Sequence, residues 1–323
     1  MKLLHALLIS TLFSFSVSSQ EWISPTDTKY QKSHPELFQA FTEARSELDT
    51  WRGEQSKLRN AHSILNKILE ENDKFAPAYR EYGRLLIRAG MINSQSYSSG
   101  RLSSAESSIK YALELDPDYA DAYVLLSYLY IVQGNVSQAR DALNKAERIG
   151  TNSPWFNINR ARLYDKIGNE KLAAKHYELV LQSDTTNKRA IHGAASGLAT
   201  IYANSGMKEK TIEMHEKIIA LEPESAWAWG NYATEILYRF GLIDEAIAKG
   251  EKALSLMNYG LARRNLAVAY CTKWANSPDP TSEASQQFLK RATDLASVSH
   301  ISKEAASYGH TRACHEAINK YGI

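Results

Sequence analysis

A chain of 323 residues, 44% hydrophobic and 23% charged with 16 glycines and 8 prolines, can bury a large apolar core, and this composition excludes a wholly disordered polymer. Its 38 Lys+Arg against 36 Asp+Glu leave a net charge of +2, which excludes a global field for collecting nucleic acid or anionic lipid. Charge can therefore act only locally.

Residues 1–19, MKLLHALLISTLFSFSVSS, place Lys2 ahead of an apolar stretch that ends in small residues, the pattern of a secretory signal peptide cleaved after Ser19, with Ser18 as the fallback. A membrane anchor would need about 20 apolar residues, and Ser10, Thr11, Ser14 and Ser16 interrupt a shorter run. The only cysteines, Cys271 and Cys314, are too distant to carry a lipid at the new terminus. The expected mature protein is periplasmic or secreted, with no stable membrane insertion. Residues 20–34 read as a polar, flexible lead-in without periodicity.

From residue 35 onward the chain repeats itself. Tyr130, Gly134 and Ala139 recur 34 residues later as Tyr164, Gly168 and Ala173, and Ala105 stands one period before Ala139. Asp116-Pro117 and Glu222-Pro223 close helices three periods plus four residues apart, the four extra falling between Lys188 and Gly206. Each period predicts two antiparallel helices. Ala105, Ala139, Ala173 and Ala246 let the two backbones approach, and Ile109, Leu143 and Tyr177 follow one turn later on the same face. Gly90, Gly134, Gly168, Gly206 and Gly241 are placed to end the first helix of their units.

The predicted units span 35–75, 76–119, 120–153, 154–187, 188–225, 226–259 and 260–299. The first, with a helical pattern from Glu36 to Trp51 and a second around Ala61, Leu65 and Ile68, is expected to cap the array without a turn glycine. The second carries an insert from Ser94 to Ser103, read as an exposed loop or a helix extension. The seventh turns at Ser277-Pro278-Asp279-Pro280, and 300–323 is expected to be one capping helix from Ser302 to Lys320.

Trp229, Tyr232, Ala233, Gly241 (one residue late), Ala246 and Ala253 of the sixth unit give this pattern its resemblance to the tetratricopeptide-repeat (TPR) family. The resemblance implies an all-α, right-handed solenoid of about seven helix-turn-helix repeats with a C-terminal capping helix, in which stacking supplies the stability. It also implies that the first helix of each pair lines a concave surface. The corresponding positions here hold Arg80, Arg84 and Arg88, spaced four apart, then Tyr128, Trp155, Arg162, Asp165, Lys166, Trp227, Tyr238 and Arg264. Arg and aromatic side chains are enriched at binding hot spots. Asn159, Asn231 and Asn265 offer amides suited to the backbone of an extended peptide, although Glu81, Leu125 and Gly197 break that ladder in other units. The Lys/Asn/Arg set by which chaperone-binding members clamp a terminal carboxylate is not reproduced in order.

No catalytic centre, metal site or cofactor motif is read. His62, His176, His192, His215, His300, His310 and His315 lack metal-ligand spacing, and there is no phosphate loop or GxSxG. His215, four after Thr211, falls on a core-facing position, and His310 with Cys314 is read as a chance pair. Asn135-Val-Ser matches a glycosylation sequon, which matters only in a eukaryotic secretory route. Cys271 and Cys314, at similar depths in neighbouring helices, are a possible disulfide in an oxidising compartment.

The expected function is a non-catalytic binding scaffold or assembly factor holding a peptide or partner subunit in the concave groove, with no nucleic-acid partner. Bacterial families that the chain resembles act in cytochrome maturation, secretion and polysaccharide export. The alternative is a structural part of a polysaccharide export machine that contacts glycan through Trp155, Tyr128 and Trp227.

Overall fold

Helix ends in this chain are set by short-range chemistry. Asn169, Asn187, Ser225 and Ser282 accept hydrogen bonds from backbone N–H groups three residues on, which occupies donors that a helix start leaves unpaired. Gly134 and Gly241 stop their helices in the left-handed region, at φ of +80° and +64°, where a side chain would be strained.

The computed structural model describes residues 23–51, 53–92 and 96–323. The expected signal segment, 1–19, lies outside them. Among the described residues there are helices and no strand. The pairs are α2 (Pro35–Thr50) with α3 (Gln55–Glu71), α4 (Ala76–Ala89) with α5 (Ser99–Leu115), and α6 (Ala120–Gln133) with α7 (Val136–Ile149). They continue as α8 (Pro154–Lys166) with α9 (Glu170–Gln182), α10 (Lys188–Asn204) with α11 (Lys208–Leu221), α12 (Ala226–Phe240) with α13 (Ile243–Leu256), and α14 (Gly260–Ala275) with α15 (Glu283–Leu295). Ala105, Ala139, Ala173 and Ala246 are buried between paired helices. First helices of successive pairs also touch one another, α2 on α4, α4 on α6, and so on to α14, and form the inner layer of an all-α solenoid.

Several expectations are corrected. The lead-in is not without structure: Pro25–Ser33 forms α1, started by Ser24 Oγ accepting from the Asp27 N–H, with Asp27 and Tyr30 buried. Its short apolar content concealed it: Tyr30 packs edge-on against Phe75 at 5.1 Å, and much of the rest of its anchoring is polar. The turn of the first unit does contain a glycine, Gly53, at φ +117°. The four extra residues near Lys188 lengthen α10 to 17 residues, about one turn more than the 13 of α8. The insert is divided: Ser99 onward extends α5, while Met91 pairs with Tyr97 in an isolated bridge and the Ser98 N–H donates to the Gly90 carbonyl at 2.7 Å.

The capping segment is two helices, α16 (Val298–Ala306) and α17 (Arg312–Tyr321), separated by a 3₁₀ turn at Gly309–Thr311. Buried Thr311 donates its hydroxyl to the Ala305 carbonyl at 2.9 Å and so holds the break closed. Cys271 of α14 and Cys314 of α17 form a disulfide across a Cα separation of 5.4 Å, which ties this cap to the last pair. Cys314 therefore presents no thiol to His310.

Candidate functional site: a polar groove and an arginine cluster

Two parts of the inner layer differ in how their polar groups are used. In the N-terminal half, α4 presents Arg80, Arg84 and Arg88 on one face, as their spacing requires. The first two are not free lining. Arg80 is ion-paired with Glu81, and Arg84 reaches Asp49 of α2 at 2.5 Å and Glu81 at 2.6 Å. Arg45 of α2 pairs with Asp27 of α1 and approaches Glu81 at 3.8 Å. Burial works against a charged Glu81, but Arg84, Arg80 and Arg45 outweigh it and hold the carboxyl at about 2. These guanidiniums serve as internal counter-ions. Arg88 instead stacks over the Trp51 ring at 5.2 Å, and Arg162 over Tyr128 at the same distance.

The asparagines divide as well. Asn159 is buried and donates to the Val124 carbonyl at 2.8 Å and to Ser127 Oγ at 3.2 Å, bracing α8 on α6. Asn265 makes the matching brace from α14 to α12, donating to Thr234 Oγ1 at 2.7 Å and accepting from the Tyr238 hydroxyl at 3.3 Å. Both amide NH2 groups are engaged between repeats and not with a peptide, because each lies within reach of the preceding first helix; Asn159 Oδ1 is buried without a hydrogen-bond partner. Trp155 packs partly buried against the core. Trp227 is exposed beside Tyr259, with ring centroids 4.2 Å apart, and Arg264 is exposed.

In the C-terminal half the inner layer opens into a cavity of about 320 Å³. His192, Ser196 and Thr200 line it from α10, and Asn231, Glu235 and Arg239 from α12, each trio at four-residue spacing and so along one stripe of its helix. His215 closes one wall. It is buried and stacked on Tyr232 at 4.9 Å, with Nε2 2.9 Å from Glu235 Oε2. Tyr308, from the cap, stacks on Tyr238 at 4.1 Å and forms another wall. Of the residues expected to bind, Asn231 and Tyr238 meet here.

The sequence reading drew no lining residue from the fifth unit, and the α10 stripe was missed. The four-residue recurrence on α10 and α12 was its signal. Tyr308 had none, since the break at Gly309 that aims it was not visible.

A tetratricopeptide-repeat family model matches residues 96–163, which span α5, the α6–α7 pair and most of α8. The chain has the fold of a tetratricopeptide-repeat solenoid. It is 30% identical to tetratricopeptide repeat protein 21A of Mus musculus over 132 residues, 40% of this chain and 9% of that protein, so the TPR chain spans under a tenth of this relative's length. Among solved structures it resembles a chain of the APC/C hetero-tetramer Cut9–Hcn1, at 15% identity and TM-score 0.54, over 82% of this chain and 45% of that one. It also resembles PilW, described as a widely conserved type IV pilus biogenesis factor, at 14% identity and TM-score 0.53 over 73% and 96% of the two chains. The thermophilic TPR protein TTC0263 of Thermus thermophilus superposes with TM-score 0.50 at 19% identity, over 61% of this chain and 99% of that one. These likenesses concern the fold. Among the described residues of the TPR chain, no helix is long and apolar enough to cross a membrane.

Proposed function

We propose that this TPR chain is an exported, non-catalytic binding scaffold that holds an extended segment of a partner protein in the groove between α10, α12 and the cap. The observation that carries this reading is the double stripe of exposed or half-exposed donors and acceptors, Ser196 and Thr200 facing Asn231 and Arg239 across a 320 Å³ opening. An extended backbone presents donors and acceptors alternately, and such a lining can satisfy both. The signal-like residues 1–19 support export, and the Cys271–Cys314 bond supports an oxidising compartment, periplasmic or extracellular. The glycan reading retains Trp227 as an exposed ring, while Tyr128 is covered by Arg162 and Trp155 is packed into the core.

The test compares a Thr200→Ala, Asn231→Ala, Arg239→Ala variant with an outer-surface control, Arg140→Ala with Lys171→Ala. A partner isolated with the parent protein is titrated against each. Three lost hydrogen bonds at about 1 kcal/mol each weaken the groove variant by about a hundredfold, and the control stays at parental affinity. Equal binding by the two variants places the partner elsewhere.

A further inference from the structure

The N-terminal half of the inner layer holds positive charge that its own carboxylates do not neutralise. Asp27 is taken by Arg45, Asp49 by Arg84, and Glu81 by Arg80 and Arg84. Arg88 and Arg162 remain. No carboxylate oxygen of the described residues lies within ion-pair distance of either; Arg88 Cζ sits 5.2 Å over Trp51, and Arg162 Cζ sits 5.2 Å over Tyr128. Arg189 of α10 adds a further guanidinium near Arg88, held by the carbonyls of Leu48 and Asp49 at 3.3 and 2.6 Å. Burial, then the fields of Arg84 and Arg189, push Arg88 down to about 9, with Asp49 and Glu81 opposing too weakly to restore it.

Beside these cations the Tyr97 and Tyr128 hydroxyls stand 3.3 Å apart, within the electrostatic reach of both Arg88 and Arg162. Only one of the two phenolic protons can serve their mutual bond, so the other remains available to donate outward. Sheltered guanidiniums without a counter-ion are costly, and two of them beside an unused O–H donor are arranged as an anion would require. All four side chains are only partly buried, so a small group can reach them.

We propose that Arg88 and Arg162, with the Tyr97–Tyr128 hydroxyl pair, form an oxyanion pocket that takes a carboxylate or phosphate group entering the concave face. It is separate from the α10–α12 groove and does not rest on the function proposed for that groove.

The experiment follows melting temperature and calorimetric binding of the purified protein at constant ionic strength, with chloride replaced stepwise by inorganic phosphate or acetate. The pocket requires saturable stabilisation by at least one of them. Arg88→Met removes the charge and keeps the apolar stem over Trp51; it should raise the anion-free melting temperature and weaken anion binding about tenfold or more. Arg162→Met should weaken binding likewise, and Arg140→Met should leave it unchanged. A short peptide with a free C-terminal carboxylate, compared with its C-terminal amide, separates the sources. Preference for the acid assigns the pocket to a group on a chain, and equal weakness of both beside firm phosphate binding assigns it to a free anion. Absence of saturable binding by phosphate, acetate and peptide acid overturns the proposal, as does undiminished binding by both Met variants.

Discussion

Arg189 reaches back across 140 residues to donate from Nη1 to the backbone carbonyl oxygen of Asp49, at 2.6 Å, and to that of Leu48 at 3.3 Å. These carbonyls belong to the last turn of α2, where a helix has acceptors without intrahelical partners and carries the negative end of its dipole. The start of the fifth pair thus caps the first, and the inner layer is braced across its own curvature. Arg189→Met keeps the stem and removes the donors. It should cost about 1–3 kcal/mol, with faster amide exchange in α2 and α3 and unchanged exchange in α12 to α15. Uniform acceleration along the chain would show that the contact is not a local brace.

Tyr119, fully buried, donates its hydroxyl to Asp27 Oδ1 at 2.6 Å, and Arg45 pairs with the other oxygen of the same carboxylate. This fixes α1 to the array through polar contacts that a hydrophobic pattern cannot reveal. Tyr119→Phe leaves a buried carboxylate oxygen short of a donor and is expected to cost about 1–3 kcal/mol. Limited proteolysis should cut near α1 in the variant before it cuts elsewhere; identical digestion of parent and variant would remove Tyr119 as the anchor.

The same cluster makes stability depend on pH through Asp121. This carboxyl is fully buried, and neither oxygen has a hydrogen-bond partner. Burial pushes it up to about 7, with Arg80 opposing and Asp27 assisting. A folded-state value above the ordinary 3.8 means that the folded protein holds this proton more tightly than the unfolded chain does. Its contribution is therefore fully present below about pH 4 and lost as pH rises toward 7. Asp121→Asn should be more stable than the parent by about 1–3 kcal/mol at pH 8 and show no advantage near pH 4. Glu81 acts in the opposite sense, since its lowered value supplies stability above about 4.5 that disappears as pH falls toward 2. Urea midpoints at both pH values for parent and Asp121→Asn check the sign.

Reduction of Cys271–Cys314 opens a loop whose ends are 43 residues apart in sequence and releases the cap from α14. A loop of that length predicts a loss of about 2–4 kcal/mol through the unfolded chain. Tyr308, on the cap, is a wall of the α10–α12 groove, so partner affinity should fall with reduction in the parent and be insensitive to reductant in a Cys271→Ser, Cys314→Ser protein. Equal affinity of oxidised and reduced parent would mean that the groove holds its shape without the tether.

The recurrence of Tyr130, Gly134 and Ala139 as Tyr164, Gly168 and Ala173 sufficed to determine, from sequence alone, that helix pairs stack with small residues between them. Those choices depend on neighbours within a turn or on one repeated packing contact, and both are written at fixed spacing along the chain. The function of each polar side chain was not determined in that way. Arg80, Arg84 and Arg88 share one face by arithmetic, yet only the tertiary structure distinguishes Arg84, met by Asp49 from 35 residues earlier, from Arg88, met by an aromatic ring. Asn159 and Asn231 likewise occupy equivalent repeat positions, and one is buried against α6 while the other faces the groove. Charge and hydrogen-bond partners are decided by the curvature of the solenoid, which brings Asp27 to Tyr119 and Arg189 to Asp49; curvature accumulates from small rotations at every interface, and no single stretch of sequence encodes it.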